Sequence, residues 1–402
     1  MYAVLVAGGG LTGASLAVAL ADLGLKVAVV EAVPPEDPGQ PSLDDRTSAI
    51  ARTGVRILEN LGVWTRLAET PSPIRTVEIS ERGCFGGARI DAASQGLDSL
   101  GSVVRNRVLG QALWDRLRES DCIDIFCPAT VRSVEAESDR VRVGVKAGSG
   151  KPKKLSARLL AVAEGARSPL REKFGIQAEH KEYPQVALTG LAKVRKVVRP
   201  DTAWERFTAD GPLAVLPAGG RRYGFVIVSN RGAEKLAEMS DADLLARLQE
   251  LMGYRAGEFV AVGPRAVYPL ALDRAERVTA PRSVLVGAAA NSVHPLVAQG
   301  FNLALRDVAA LSETLATSGR PPSDPGDPAL LARYASWRRS DQANVVRFTD
   351  GLARLSRSAW MRPLRGLGLQ AFDVLPQATP MLARFALGQG GRMSRLARGL
   401  PL

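Results

Sequence analysis

The stretch VLVAGGGLTGASLAVALADLGLKVAVVE, residues 4–31, decides the fold: an apolar strand enters a glycine-rich turn, an alanine-rich helix follows, and a second apolar strand ends in an acid. Gly8, Gly10 and Gly13 stand at GxGxxG spacing. The first glycine makes the tight turn, the second lets a pyrophosphate approach the backbone, and the third lets the helix pack closely. Phosphates would meet the helix N-terminus, where amide N–H groups and the helix dipole favour an anion. Glu31 lies 18 residues after Gly13, close to the usual spacing of about 20, and is placed to accept hydrogen bonds from a ribose hydroxyl. The unit therefore reads as a βαβ dinucleotide-binding element.

Residues 1–21 carry no charged side chain, which invites a reading as a secretory signal. That reading fails because no basic region precedes the apolar core and three consecutive glycines interrupt it. A membrane span fails too, since about 18 or more sustained apolar residues are needed.

A chain of 402 residues with 46% hydrophobic and 23% charged residues suits one large or two intertwined globular domains. Three cysteines and two histidines, His180 and His294, show no metal-binding or disulfide spacing, so a reducing cytoplasm and metal-free chemistry are expected. The net charge is +12, but aromatics are only 5% and no basic run is interleaved with stacking rings, which argues against nucleic acid. An anionic membrane surface fits the charge better. Residues 351–402 hold eight arginines against one acid, Asp373, interleaved with apolar residues such as Leu355, Trp360 and Leu364. Two readings stay open there: a basic amphipathic segment at a lipid interface, or a terminal helical pair with a solvated basic face.

Further elements follow from local pattern. Residues 44–62 read as polar turn residues leading into a helix that includes Ala49 and Ile50; residues 102–117 read as a strand end entering a helix. Residues 128–147 read as paired strands with a turn at Ser138-Asp139. Between about 183 and 270 the pattern changes to strands such as VALTGLAKV and YGFVIVS with one helix around DADLLARLQELM, a separate sheet able to cover a ligand. Residues 283–311 place an apolar strand before Gly287, then His294-Pro295, then Gly300 opening a helix.

Together GGGLTG, DDRTSAIA at 44–51, LLAVAEGARSPLR at 159–171 and HPLVAQGFNLALRD at 294–307 resemble the FAD-dependent aromatic hydroxylases of the para-hydroxybenzoate hydroxylase type. The HP…QGFNLALRD wording and YPLALDRAERV at 268–278 are most similar to the ubiquinone-biosynthesis branch, the 2-polyprenyl-6-methoxyphenol hydroxylases. The resemblance covers nearly the whole chain. It implies an α/β fold in which a Rossmann-like FAD-binding domain (1–75, 100–178 and 272–335) is interrupted by a mostly antiparallel β-sheet substrate domain (76–99 and 179–271), with a basic helical C-terminal region at 336–402.

The resemblance also implies roles. Gly8, Gly10 and Gly13 would hold the FAD pyrophosphate, Glu31 the adenosine ribose, Arg46 the cofactor near its phosphates through directed guanidinium donors, and Asn106 the ribityl chain. His294, Pro295, Gln299, Gly300 and Asn302 would form the loop and helix start beside the flavin ring, where a helix N-terminus stabilises negative charge on the reduced ring. Taken alone, His294 is a turn histidine and not a base, and Arg306-Asp307 simply continue the helix. The implied reaction has NAD(P)H visit transiently to reduce FAD, and a flavin hydroperoxide deliver hydroxyl to a polyprenylated phenol. Implied partners are the inner membrane surface, to which a cytoplasmic protein would attach peripherally, and other ubiquinone-biosynthesis proteins.

Three positions depart from the family pattern. Ala288, after the strand-end Gly287, replaces an Asp or Asn that binds a ribityl hydroxyl, a loss worth about tenfold to a hundredfold in affinity. Ala298 replaces a glycine, and Glu164 replaces an Asp at a cofactor-facing position. These departures motivate an alternative: a non-catalytic structural or lipid-handling member of the same family.

Overall fold

The computed structural model describes residues 1–40, 44–84, 87–148, 152–230, 232–293, 299–319, 321–357, 383–384, 387–389 and 391–402. His294, Pro295 and Ala298, and most of the arginine-rich stretch after residue 357, lie outside the described residues.

The quoted opening forms strand β1 (Tyr2–Ala7), helix α1 (Leu11–Ala21) and strand β2 (Val27–Val30). The two strands pair in parallel, Val4 with Val27 through Ala7 with Val30. On its other side β1 pairs in parallel with Lys153–Val162, which pairs in parallel with Ser283–Leu285, while Ile123–Phe126 extends the sheet beyond β2. Val4, Leu5 and Val6 are fully buried, as expected where both faces of a parallel sheet are covered. Nine of the eleven residues of α1 are buried. Small residues let it lie between the sheet and helices Asn106–Arg118 and Gln299–Ala316. An antiparallel hairpin, Ala129–Ala136 with Val141–Ala147, completes this sheet.

A second sheet of eight strands draws on Thr76–Glu81, Gly87–Asp91, Ala178–Val194, Thr202–Phe207, Pro212–Pro217, Arg222–Ser229, Phe259–Ala275 and Asn291–Ser292. All its pairings are antiparallel except Thr76–Glu81 with Thr202–Phe207. Alternation sorts its side chains. Leu188 and Ile227 join a core closed by Leu244, Leu248 and Met252 of helix Asp241–Met252, whereas neighbouring Ala187 and Val228 face the opposite way and pack with Tyr183, Leu270, Leu272 and Val346 of the long helix Pro328–Arg357.

One local expectation is corrected. Residues 47–51 are not helical: Thr47–Ala51 is strand β3, paired antiparallel with Gly101–Arg105, and helix α2 starts at Arg52 and ends at Asn60. Ala49 and Ile50 fit either period in so short a run, and strand pairing with distant residues wins. Among the described residues no helix is long and apolar enough to cross a membrane.

Candidate functional site

The turn after β1 has the geometry its glycines allow. Gly8 has φ +102°, and a Cβ there would meet the Ala163 carbonyl oxygen at 2.5 Å; a Cβ on Gly13 would lie 1.8 Å from the Gly8 carbonyl oxygen. Gly10 is the N-cap of α1 and supplies no side-chain cap, so the first amides of the helix stay open to an anion. The Trp114 indole N–H donates to the Gly9 carbonyl at 3.0 Å and holds the loop from behind.

Glu31 serves this loop directly. Its carboxylate accepts hydrogen bonds from the Gly9 N–H, from the Val33 N–H at 2.9 Å and from the Gln40 amide at 3.3 Å, and it is only 8% exposed. It still lines the cleft, but its oxygens are engaged with the protein's own amides.

That cleft, about 420 Å³, runs over Gly8, Gly10, Leu11 and Thr12 and is walled by Glu31, Arg46, Ser48, Asn106, Glu164, Ala288, Gly300 and Phe301. Asn106 opens its helix; its side-chain oxygen accepts from the Ser48 hydroxyl at 2.6 Å. Glu164 accepts from the Ser168 hydroxyl at 2.9 Å, and burial pushes its carboxyl above the usual range. Gly287 has φ +65°, and a Cβ would meet Thr12 at 2.8 Å, so this turn presses against the start of α1 and presents Ala288 to the cleft. Asn302 does not line the cleft: its oxygen accepts from the Ala51 N–H at 2.8 Å, and its amide donates to the Ala49 carbonyl at 2.9 Å, pinning helix Gln299–Ala316 to β3. Gln299 is buried at the same helix start.

A second and larger cleft, about 1200 Å³, opens beside the first along strands Ala178–Val194 and Phe259–Ala275 of the antiparallel sheet. Tyr183, Ala187, Thr189, Tyr268, Pro269 and Leu270 line it from the sheet, His180 and Asp273 stand in its wall, and Arg171 and Ile176 close it from the other side. Arg46 lines both clefts. Its guanidinium stacks 4.5 Å from the Tyr268 ring centroid and donates to Asp44 at 2.5 Å.

Sequence reasoning missed a buried charge network behind the Gly287 turn. Asp307 accepts from the Gly287 N–H at 3.1 Å, from Arg338 Nε at 2.6 Å and from the Gln342 amide at 3.0 Å, while Asp341 accepts from Arg306 at 2.9 Å and from Arg338 at 2.5 Å. Burial pushes the Asp307 carboxyl up. For Arg338 burial alone would lower the guanidinium pKa, but Asp307 and Asp341 outweigh it and hold the cation charged. The only sequence signal was charge at helical spacing in SWRRSDQA, which reads equally as a solvated face.

A Rossmann-type βαβ unit, a glycine cradle at a helix N-terminus and a second cleft under an antiparallel sheet define a dinucleotide-dependent enzyme of the flavoprotein type. The chain belongs to the FAD binding domain family, whose model matches residues 1–349. It is 35% identical over 410 residues to the ubiquinone hydroxylase UbiL of Rhodospirillum rubrum, covering 99% of this chain and 93% of that protein. It is 31% identical over 397 residues to the 3-demethoxyubiquinol 3-hydroxylase of Escherichia coli, covering 96% and 98%. Among solved structures, p-nitrophenol 4-monooxygenase PnpA of Pseudomonas putida superposes with a TM-score of 0.80 at 17% identity, over 98% of this chain and 99% of that one, which shows the shared fold.

Proposed function

We propose that this chain is an FAD-dependent monooxygenase that hydroxylates a polyprenylated phenol in ubiquinone biosynthesis, with NAD(P)H as the transient reductant. The observation that carries the reading is the junction at Arg46, which borders both the glycine-floored cleft and the larger cleft. A flavin in the first would then face an aromatic substrate in the second. Relatives named as ubiquinone hydroxylases, matched over nearly their full length, support the substrate class.

FAD, when bound, supplies the redox chemistry that lets oxygen be activated with electrons from NAD(P)H. The chain does the rest. Gly8, Gly10 and Gly13 let the pyrophosphate reach the amides at the start of α1. Arg46, Asn106 and Glu164 would border the remainder of the cofactor, and Gly287 sets the turn that presents Ala288 to the same cleft. Tyr183, Ala187, Leu270 and Tyr268 provide an apolar wall that orients an aromatic ring and displaces water. A phenol is electron-rich ortho and para to its oxygen, so the site needs no side-chain nucleophile; orientation and a dry cavity suffice.

Three assignments go with this reading. The cofactor domain comprises 1–75, 100–178 and 272–335, and the substrate domain 76–99 and 179–271. Gln299 and Gly300, at the start of their helix, would lie beside the flavin ring. The inner membrane surface delivers the lipid-soluble substrate, and other ubiquinone-biosynthesis proteins are partners. The non-catalytic alternative finds no support: Ala288 and Glu164 border the cleft without filling it.

The test is a visible spectrum of the purified chain followed by NAD(P)H oxidation with a short-chain polyprenylphenol. Flavin bands at about one FAD per chain and a product heavier by one oxygen atom are expected. A protein that stays colourless after reconstitution overturns the reading.

A further inference from the structure

The far end of the antiparallel sheet gathers three separate segments, 193–199, 220–222 and 254–261. Lys193 pairs with Arg222 on one side and Ala261 on the other. The Val194 N–H donates to the Arg221 carbonyl at 2.9 Å, and the Arg195 N–H to the Glu258 carbonyl at 2.8 Å. Arg221 reaches the Arg195 carbonyl at 3.2 Å. Gly257, with φ +117°, lies so close to the Lys196 carbonyl that a Cβ would sit 2.2 Å from it. These contacts make the three segments one surface.

Its composition is lopsided. The segments hold Lys193, Arg195, Lys196, Arg199, Arg221, Arg222 and Arg255 against a single carboxylate of their own, Glu258, and the strand Thr76–Glu81 adds Glu78 at the same end. Arg195 is paired with Glu258 and Arg199 with Glu78. Lys193, Lys196, Arg221, Arg222 and Arg255 have no carboxylate within ion-pair distance among the described residues, and all five are exposed. Apolar side chains project among them: Val198 is 56% exposed, Tyr254 71% and Val260 38%, three of the five large hydrophobic residues exposed in the described chain.

We propose that this end of the sheet is the docking surface for an anionic lipid bilayer, an inference that rests on the lipid-soluble substrate proposed above. Cations draw the surface to anionic headgroups, and the valines and tyrosine enter the boundary between headgroups and acyl chains, the pattern expected of a peripheral lipid contact. A nucleic acid would match the charge but would gain nothing from protruding valines. The placement also serves catalysis: Thr189, which lines the larger cleft, is four residues along the same strand from Lys193, roughly 13 Å of chain at strand rise. A bilayer held here lies at the end of the strand that walls the substrate cleft.

The test is flotation of the full-length flavoprotein with vesicles of phosphatidylcholine alone and of phosphatidylcholine with phosphatidylglycerol. Binding should require the anionic lipid and weaken with added salt. Reversing three cations together, Lys193→Glu, Lys196→Glu and Arg222→Glu, should cut binding by about tenfold or more. Tyr254→Trp should show an emission blue shift on these vesicles and quenching by lipids brominated in the acyl chain. Unchanged binding of the triple variant, an unshifted tryptophan, or capture by an acidic protein with no vesicle binding would each overturn the proposal. Hydroxylation of a short-chain, water-soluble phenol by the same variants separates the two ideas. Variants that hydroxylate normally but no longer float uphold the surface, whereas a wild-type chain that floats yet never hydroxylates defeats only the proposed reaction.

Discussion

The carboxylate of Asp307 accepts a hydrogen bond from the backbone N–H of Gly287, 3.1 Å away and twenty residues earlier in the chain. The same carboxylate is paired with Arg338 of the helix Pro328–Arg357. One buried anion thus fastens the turn that presents Ala288 to the helix that packs under the substrate sheet.

Removing that anion should loosen both ends. Asp307→Asn leaves a buried guanidinium with one carboxylate fewer, and breaking such a pair costs about 3–5 kcal/mol. A lower urea midpoint together with weaker FAD binding is expected. An unchanged midpoint would show that the network does not fasten the fold.

Gly13→Ala tests the cradle by contact alone. Gly13 lies within α1, so its backbone is undemanding, but the added methyl would lie 1.8 Å from the Gly8 carbonyl. The helix must retreat, at about 1–3 kcal/mol, and the pyrophosphate seat opens with it. The purified variant should lack flavin absorbance while keeping its far-ultraviolet circular dichroism. Full flavin content would rule out a role for this close approach.

Ala288→Asp restores a hydrogen-bonding side chain at a half-buried position that faces the cleft. A charge-assisted bond to a ribityl hydroxyl is worth about 1.5 kcal/mol or more, so the FAD dissociation constant should fall about tenfold. Fluorescence quenching titrations measure this. A weaker complex would mean that Ala288 does not face the ribityl chain.

His180 titrates in the wall of the larger cleft. Its hydrogen bond with Asp273, at 2.7 Å, is the main cause of a pKa raised above the ordinary 6.5, with Glu182 adding to it. Because the native value lies above the unfolded one, the pair's contribution is complete below pH 6.5 and fades as pH rises through the higher native value. NMR of the ring protons should give a pKa above 6.5 in the wild type and a drop in Asp273→Asn. Equal values in the two proteins would remove Asp273 as the cause.

Much of the molecule was legible in sequence because it depends on short-range regularities. The βαβ unit at 4–31 announces itself through hydrophobic period, glycine spacing and a terminal acid, all properties of one contiguous segment. The strand-to-helix step near Arg105 and the hairpin at 129–147 were equally readable. Where two periods fit, as at Ala49 and Ile50, local pattern chose a helix and long-range pairing with Gly101–Arg105 made a strand.

What tertiary structure alone decided are the meetings of distant residues. Glu31 reads as a ribose acceptor from its spacing, and only the fold shows its oxygens accepting from the Gly9 amide of the glycine turn and from Val33. Asn302 reads as a neighbour of the flavin, and only the fold shows that its side chain pins its helix to β3. The basic surface expected near the C-terminus has a counterpart assembled from three segments, none of them conspicuous alone, because sheet pairing places Lys193, Arg222 and Val260 at one end. Periodicity reports which face of an element is apolar. It does not report which charges from separate elements will share a cavity or a surface, since that depends on how the buried faces pack.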